Sequence, residues 1–216
     1  MQRIYLLYIN LSFRMISYYL YKIIRRLVAY PKALADKAIS VVLLKGNNVK
    51  YSDFRCSGYP YIMVSLGGTF SIGKGFSMNN GIGGSPGGGF DRCVFFVDKE
   101  ATMTIGDDVG ISQASLICHQ SITIGNRVKI GGTVRIYDTD FHSLDPKVRA
   151  SSVDLEHKVK AAVVVKDNAF IGAYSIILKG VTIGENSVIG AGSIVAKSVP
   201  DNQVWAGNPA KFIRNI

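Results

Sequence analysis

Residues 163–195, VVVKDNAFIGAYSIILKGVTIGENSVIGAGSIV, repeat with a period of six. Val165, Ile171, Ile177, Ile183, Ile189 and Val195 form one row of branched aliphatics. A second row, Ala169, Ser175, Val181, Ser187 and Ser193, is small or short. No helix has this period, and plain strand alternation would not mark every sixth residue so strictly. The pattern predicts a β solenoid in which each unit supplies one short strand and a corner. Both rows are expected to point inward, the small one where a tapering interior leaves little room. Gly172, Gly184 and Gly190 follow three of the aliphatics and are expected at corners that need φ > 0. Such units cannot bury a core singly and must stack.

Outward from this stretch the rhythm recurs at Ile105, Ile111 and Ile117, slips by one near residues 118–121, and continues at Ile124, Ile130 and Ile136. A rougher beginning is Leu66, Ile72 and Met78, broken by NNGIGGSPGGGF at residues 79–90. That segment reads as a loop and not as a phosphate cradle, because no Gly-Lys-Ser/Thr follows it. Residues 41–44 are a short strand candidate. The division expected is a helical segment at 1–45 and a solenoid domain at 46–216, with an extruded loop at 137–162.

The net charge of +10 is uneven. Residues 1–50 hold nine Lys/Arg and one Asp, whereas residues 51–216 hold sixteen Lys/Arg and fourteen Asp/Glu. The basic character belongs to the N-terminal segment, and no nucleic-acid partner is expected. At 100° per residue, Arg3, Arg14 and Arg25 share one face of a helix, while Ile9, Ile16, Leu20, Ile23 and Leu27 share the opposite one. The helix is expected to end near Tyr30-Pro31. Arg14 interrupts a membrane span, and Lys22, Arg25 and Arg26 spoil a signal peptide. Two readings remain. Residues 1–30 lie on an anionic membrane surface, or they pack on the solenoid or a neighbouring subunit. Three cysteines without a CxxC pair fit a reducing compartment and no disulfide framework. The expected location is cytoplasmic, at the inner face of the membrane if the helix binds it.

The repeat stops after Ile136 and resumes at Val163. A loop extruded from a rigid scaffold is a common place for function. This one carries His142 within DTDFH, residues 138–142. An imidazole can accept a proton at neutral pH, and a carboxylate can fix its tautomer. Asp140 either orients His142 or caps the loop. His157 reads as solvated, and Cys118 and His119 as an ordinary corner.

Three features together resemble a known family: the repeat, the DTDFH loop and the tail WAGNPAK at residues 205–211. They look like the left-handed β-helix (hexapeptide-repeat) acyltransferases, nearest to the maltose/galactoside and capsular or lipopolysaccharide sugar O-acetyltransferases. The resemblance implies an all-β, three-sided left-handed parallel β-helix, assembled as a homotrimer with active sites between subunits. It implies acetyl-CoA as acyl donor, no required metal, and a sugar or surface-glycan acceptor. His142 takes the role of general base, worth ~10²–10⁴-fold. Ala173 and Ala191 border the pantetheine arm, Ala173 also offering its N–H to the oxyanion. Ala196 and Lys197 follow them, and Lys211 and Arg214 meet the nucleotide phosphates. Ser112 faces the acceptor. N-acetylation of a nucleotide-linked amino sugar would use the same base and donor. A membrane-tethered scaffold without catalysis is the alternative of another class. A zinc carbonic anhydrase is disfavoured because His119, His142 and His157 lack the close pair its metal needs.

Overall fold

The computed structural model describes residues 2–81 and 92–216, with side chains from residue 15 onward. The strands wind into a three-sided, left-handed parallel β-helix. The first face stacks Lys50–Tyr51, Thr69–Ile72, Thr102–Ile105, Ser121–Ile124, Val163–Val165 and Thr182–Ile183. The second stacks Phe54–Ser57, Phe76–Asn79, Gly110–Ser112, Lys129–Ile130, Phe170–Ile171 and Val188–Ile189, and ends in an antiparallel pair, Gln203–Gly207 and Ala210–Asn215. The third stacks Tyr61–Val64, Val94–Val97, Ser115–Cys118, Arg135–Tyr137, Ile176–Ile177 and Ile194–Val195.

The inward rows are those the period marks. Val165, Ile171, Ile177, Ile183, Ile189 and Val195 are buried, as are Ala169, Ser175, Val181, Ser187 and Ser193. Equivalent residues sit directly over one another, Ile124 on Val165 and Val165 on Ile183. Each coil alone would leave its aliphatics wet; the stack removes them from water at roughly 25 cal/mol per Å². At the corner between the first and second faces a side-chain ladder ties the coils. Asp107 accepts the N–H of Lys74, Asn126 that of Asp107, Asp167 that of Asn126, and Asp201 that of Glu185.

Several sequence expectations are corrected. Gly172, Gly184 and Gly190 do not carry positive φ; the left-handed residues of this region are Asn168, Tyr174, Gly180, Asn186, Gly192 and Asn202. The glycines serve close stacking instead. A Cβ on Gly172 would lie 2.5 Å from the Ala191 nitrogen, and one on Gly184 would lie 2.4 Å from the Asp201 nitrogen. Ile117 does not point inward. The corner after Ile111 is a residue short, so Leu116 pairs with Ile136 and is buried, and Ile117 turns to the outer surface. Leu66 is 95% exposed in a turn, and Phe70 and Ile72 begin the inward row there.

The helix runs from Gln2 to Gly46 and passes through Pro31. Residues 41–44 belong to it rather than to a strand. Packing overrides the local breaker. Asp36, Ser40 and Leu44, at helical spacing, are buried on the first coil. Asp36 accepts the N–H of Gly58 at 3.0 Å, and Lys37 donates to the carbonyl of Phe54. The helix thus covers the open end of the solenoid, where unpaired strands would otherwise be presented. From residue 15 to residue 35 its side chains are exposed. Among the described residues no helix is long and apolar enough to cross a membrane. The side chains of Arg3, Ile9 and Arg14 of the amphipathic pattern, and residues 82–90 of the glycine-rich loop, lie outside what is described.

Candidate active site

The excursion leaves the third face after Tyr137 and returns at Val163. Its root is built on Asp138, which is fully buried. The Asp138 carboxylate accepts the backbone N–H groups of His119, Gln120 and Ser121, at 2.7, 2.7 and 2.8 Å. It closes the corner of the coil before it, where the repeat slips. The Asp138 carbonyl accepts the N–H of Ala161, and the N–H of Asp140 reaches the carbonyl of Val159, so the two ends of the excursion are zipped together.

Within the loop His142 is oriented by Asp154. Nδ1 lies 2.6 Å from Asp154 Oδ2, and the N–H of Ser143 donates to Oδ1 at 2.8 Å. A carboxylate at that distance requires the hydrogen on Nδ1, which leaves Nε2 as the acceptor. The Asp154 side chain is 12% exposed and that of His142 is 61% exposed. The hydrogen bond from His142, and then that from Ser143, holds the Asp154 carboxyl below its usual range. Asp154 is placed by a one-turn 3-10 helix, Asp154–Glu156, following the short helix Pro146–Arg149 that Asp145 caps.

Asp140 therefore does not orient His142. One oxygen of its carboxylate pairs with Lys179 at 2.9 Å, and the other is buried without a hydrogen-bond partner among the described residues. The reach from Asp140 to the solenoid makes it a fastening of the loop. Sequence reasoning missed Asp154 because it stands twelve residues from His142 in a stretch without period.

His119 is more than an ordinary corner. Its Nδ1 lies 2.6 Å from Asp98 Oδ2 and 2.9 Å from Lys158 Nζ. Phe96 packs on its ring at 5.3 Å between centroids, and Phe141 meets it edge-on at 6.0 Å. Lys158 closes the excursion and Phe141 precedes His142, so this cluster fastens the loop from beneath. Burial opposes ionisation of Asp98, but the Lys99 N–H and His119 outweigh it and hold the carboxyl below its usual value. His157 is exposed.

The remaining candidates lie on the solenoid. Ala173 and Ala191 occupy successive corners between the second and third faces, and Gly192 donates to the carbonyl of Ala173 at 2.8 Å. Their own N–H groups take no part in the backbone bonds between coils. Ala196 and Lys197 are exposed just past Ile194–Val195, the terminal strand of the third face. Lys211 and Arg214 are exposed on the last strand. Ser112 is half-buried and accepts from Asn79 Nδ2 at 3.2 Å. Trp205 packs against the core, with its indole N–H donating to Gln203. Among the described residues no group of three His, Cys, Asp or Glu is placed to hold a metal ion.

Comparison with known proteins adds a family to this geometry. Residues 162–197 match the family described as bacterial transferase hexapeptide (six repeats). Those residues carry the six-residue repeat that this family is described by. It is 41% identical over 102 residues to a galactoside O-acetyltransferase of Lactococcus lactis, covering 47% of each chain. The chain spans about half the length of the curated relatives it matches, 44% and 47% for two of them. In structure it resembles AntD, an N-acyltransferase from Bacillus cereus solved with dTDP and 3-hydroxybutyryl-CoA. That likeness has a TM-score of 0.61 at 19% identity and covers 84% of this chain and 87% of that one. A hexapeptide-repeat acetyltransferase from Vibrio cholerae, solved with acetyl-CoA, aligns with a TM-score of 0.50 at 22% identity, over 81% and 74%. At those identities the two structures speak for the fold alone.

Proposed function

We propose that this chain transfers the acetyl group of acetyl-CoA to a sugar hydroxyl, with His142 as general base. The observation that carries the proposal is the His142–Asp154 pair, which fixes the tautomer and leaves Nε2 on an exposed ring. Nε2 takes the proton of the acceptor hydroxyl as its oxygen attacks the thioester carbonyl. The imidazolium that forms is stabilised by Asp154. Collapse of the tetrahedral intermediate expels the CoA thiolate, which takes the proton back from Nε2. The oxyanion needs a donor, and the unengaged N–H of Ala173 is the candidate. The N–H of Ala191 and the exposed backbone at Ala196 suit the amides of the pantetheine arm, and Lys197, Lys211 and Arg214 suit its phosphates. The L. lactis relative, by its name, acetylates galactosides, which favours a hydroxyl acceptor. The test is thiol release from acetyl-CoA with sugars and amino sugars as acceptors, for the native protein and for His142→Ala. Full transfer by that variant would sink the mechanism.

The assembly we infer is a homotrimer with the sites between subunits. On the first face the outward residues include Thr69, Ser71, Thr102, Thr104, Ser121, Thr123 and Thr182 beside Val164, whereas on the third they include Met63, Phe96, Ile176 and Ile194. An apolar outer face on a small solenoid favours burial against another copy. Sedimentation should give three times the chain mass of 23.5 kDa. The exposed stretch of the helix sets Ile16, Leu20, Ile23, Leu27 and Leu34 opposite Lys22, Arg25 and Lys32. This arrangement suits an anionic membrane surface and a surface-glycan acceptor at the inner leaflet. Flotation with phosphatidylglycerol vesicles should be lost when residues 1–30 are removed; equal flotation would exclude the anchor.

A further inference from the structure

The outer surface of the third face, the one inferred to meet a neighbouring copy, holds a cavity of about 340 Å³, within the range of small-molecule sites, so that its ligand would sit between subunits. Its wall combines Arg92 and Arg135 with the hydroxyls of Ser115, Thr133 and Tyr137, over an apolar floor that includes Ile117. No carboxylate lines it among the described residues. Arg135 is exposed and forms no ion pair among the described residues. Arg92 is held by Tyr59, whose ring lies 4.1 Å beneath the guanidinium and whose hydroxyl accepts from it at 3.1 Å. That contact orients the guanidinium without neutralising it.

Two further observations set this cavity apart from a chance hollow. Thr133 has φ 61, in the left-handed region that a β-branched residue rarely adopts. Its Oγ1 is buried and has no hydrogen-bond partner among the described residues. The φ belongs to the corner, being shared with Tyr174 and Gly192 in the next two coils, so the unspent hydroxyl is the feature that is particular to this cavity. The cavity also touches the root of the loop that carries His142. Tyr137 is the last strand residue before the excursion, and its ring packs on Phe141 at 5.1 Å between centroids, next to His142.

We propose that this cavity binds the acceptor through a phosphate or diphosphate, so that the sugar acetylated is a phosphorylated one. The inference rests on the acetyl-transfer reading for the acceptor's role, but the binding stands on the cavity alone. Among the described residues the two guanidiniums face no carboxylate, which favours a dianion, and Arg135 is placed to grip two of its oxygens. Ser115 supplies a hydroxyl to a remaining oxygen, and Tyr137 lies on the side toward the catalytic loop. A sugar phosphate, a nucleotide sugar and a polyprenyl-diphosphate sugar share this chemistry.

Calorimetry with galactose, galactose 1-phosphate and UDP-galactose, and with a polyprenyl-diphosphate galactose in micelles, tests the binding without turnover. At least one phosphorylated ligand is expected to bind tenfold or more tightly than galactose, and the tightest names the carrier. Arg135→Gln should weaken that ligand at least tenfold, and Arg135→Lys by less, since it keeps the charge and loses the two-point grip. Equal binding of galactose and all phosphorylated forms would overturn the proposal, as would an Arg135→Gln protein of native circular dichroism with an unchanged Kd. The two readings fail separately. Phosphate binding that depends on Arg135, without acetyl transfer to any acceptor, removes the proposed function and keeps the cavity. Transfer with no dependence on phosphate or Arg135 does the reverse.

Discussion

Nδ1 of His142 lies 2.6 Å from Oδ2 of Asp154, and the second oxygen of that carboxylate is held by the N–H of Ser143. The carboxylate is thus fixed at both ends before it meets the ring. Removing its charge while keeping its shape should free the tautomer. Asp154→Asn is expected to lower kcat by roughly 10²-fold or more, with little change in the KM for acetyl-CoA. Steady-state kinetics decides this, and a variant with native kcat would show that Asp154 only braces the loop.

The pH dependence of the loop follows from the direction of two shifts. The carboxyls of Asp154 and Asp98 are both lowered from 3.8. A depressed folded pKa stabilises the fold above the unfolded value, and the stabilisation is lost as pH falls through the folded one. The fastening of the excursion should therefore be intact above about pH 4 and fail only below it. Histidine signals of His119 and His142 in NMR spectra should keep their folded dispersion at pH 5. Loss of that dispersion by pH 5 would contradict the assignment of these two anions.

Lys158 reaches from the end of the excursion into the Asp98–His119 pair, with a side chain only 12% exposed. It touches no part of the proposed reacting groups, so its role is to position Phe141 and His142. Lys158→Met should lower kcat by about tenfold, because small displacements of a base are costly. The KM for acetyl-CoA should stay within twofold, and Lys158→Arg should restore part of the rate. A change confined to thermal stability, with kcat intact, would reduce Lys158 to a structural tie.

The solenoid was legible in the sequence because one physical constraint, burial of a side chain on every coil, writes itself at a fixed spacing. Val165 through Val195 satisfy it without exception. The same rule misplaced Ile117, since the corner before it is a residue short and only the neighbouring strands show that Leu116 faces Ile136. His142 was legible as the histidine that stands where the period breaks. Asp154, Lys158 and Asp98 were not, because their partners are 12, 39 and 21 residues away and meet only after the excursion folds back. Residues 41–44 misled for a related reason: four aliphatics carry no period, and it is packing on the first coil, which begins just after them at Lys50, that selects the helix.

Asp138 offers the sharpest measure of what holds the root of the loop. Its carboxylate is the only acceptor recorded for the N–H groups of His119, Gln120 and Ser121 among the described residues. Asp138→Ala would strand three donors in the interior, costing about 3 kcal/mol or more. Asp138→Asn keeps the shape but replaces one acceptor by a donor, and should cost nearly as much. Urea denaturation of both variants checks this. It should be read alongside the Cys118 thiol, whose pKa burial and then Asp138 push up to about 12. That thiol should be inert to alkylation in the native protein and react in the variants.

Two glycines two residues apart in one corner separate the reasons a solenoid needs the residue. Gly190 faces Ala206, whose Cβ would be 2.8 Å from an added methyl, while Gly192 has φ 73 and open space around it. In the coil before, Gly172 stands at the crowded position, 2.5 Å from the Ala191 nitrogen, and Tyr174 at the left-handed one. The crowded site should reject any side chain, because backbone cannot yield as a side chain can. Gly172→Ala is expected to cost about 1–3 kcal/mol through overpacking. The left-handed site should charge only for conformation. Gly192→Ala should cost about 1 kcal/mol, and Gly192→Asn less, since Asn168 and Asn186 already hold equivalent corners with φ near 60. Chemical denaturation of the three variants orders them. If Gly192→Asn proved as damaging as Gly172→Ala, the open space at that corner would have to be filled by a neighbouring copy, and the same experiment would then locate the subunit interface.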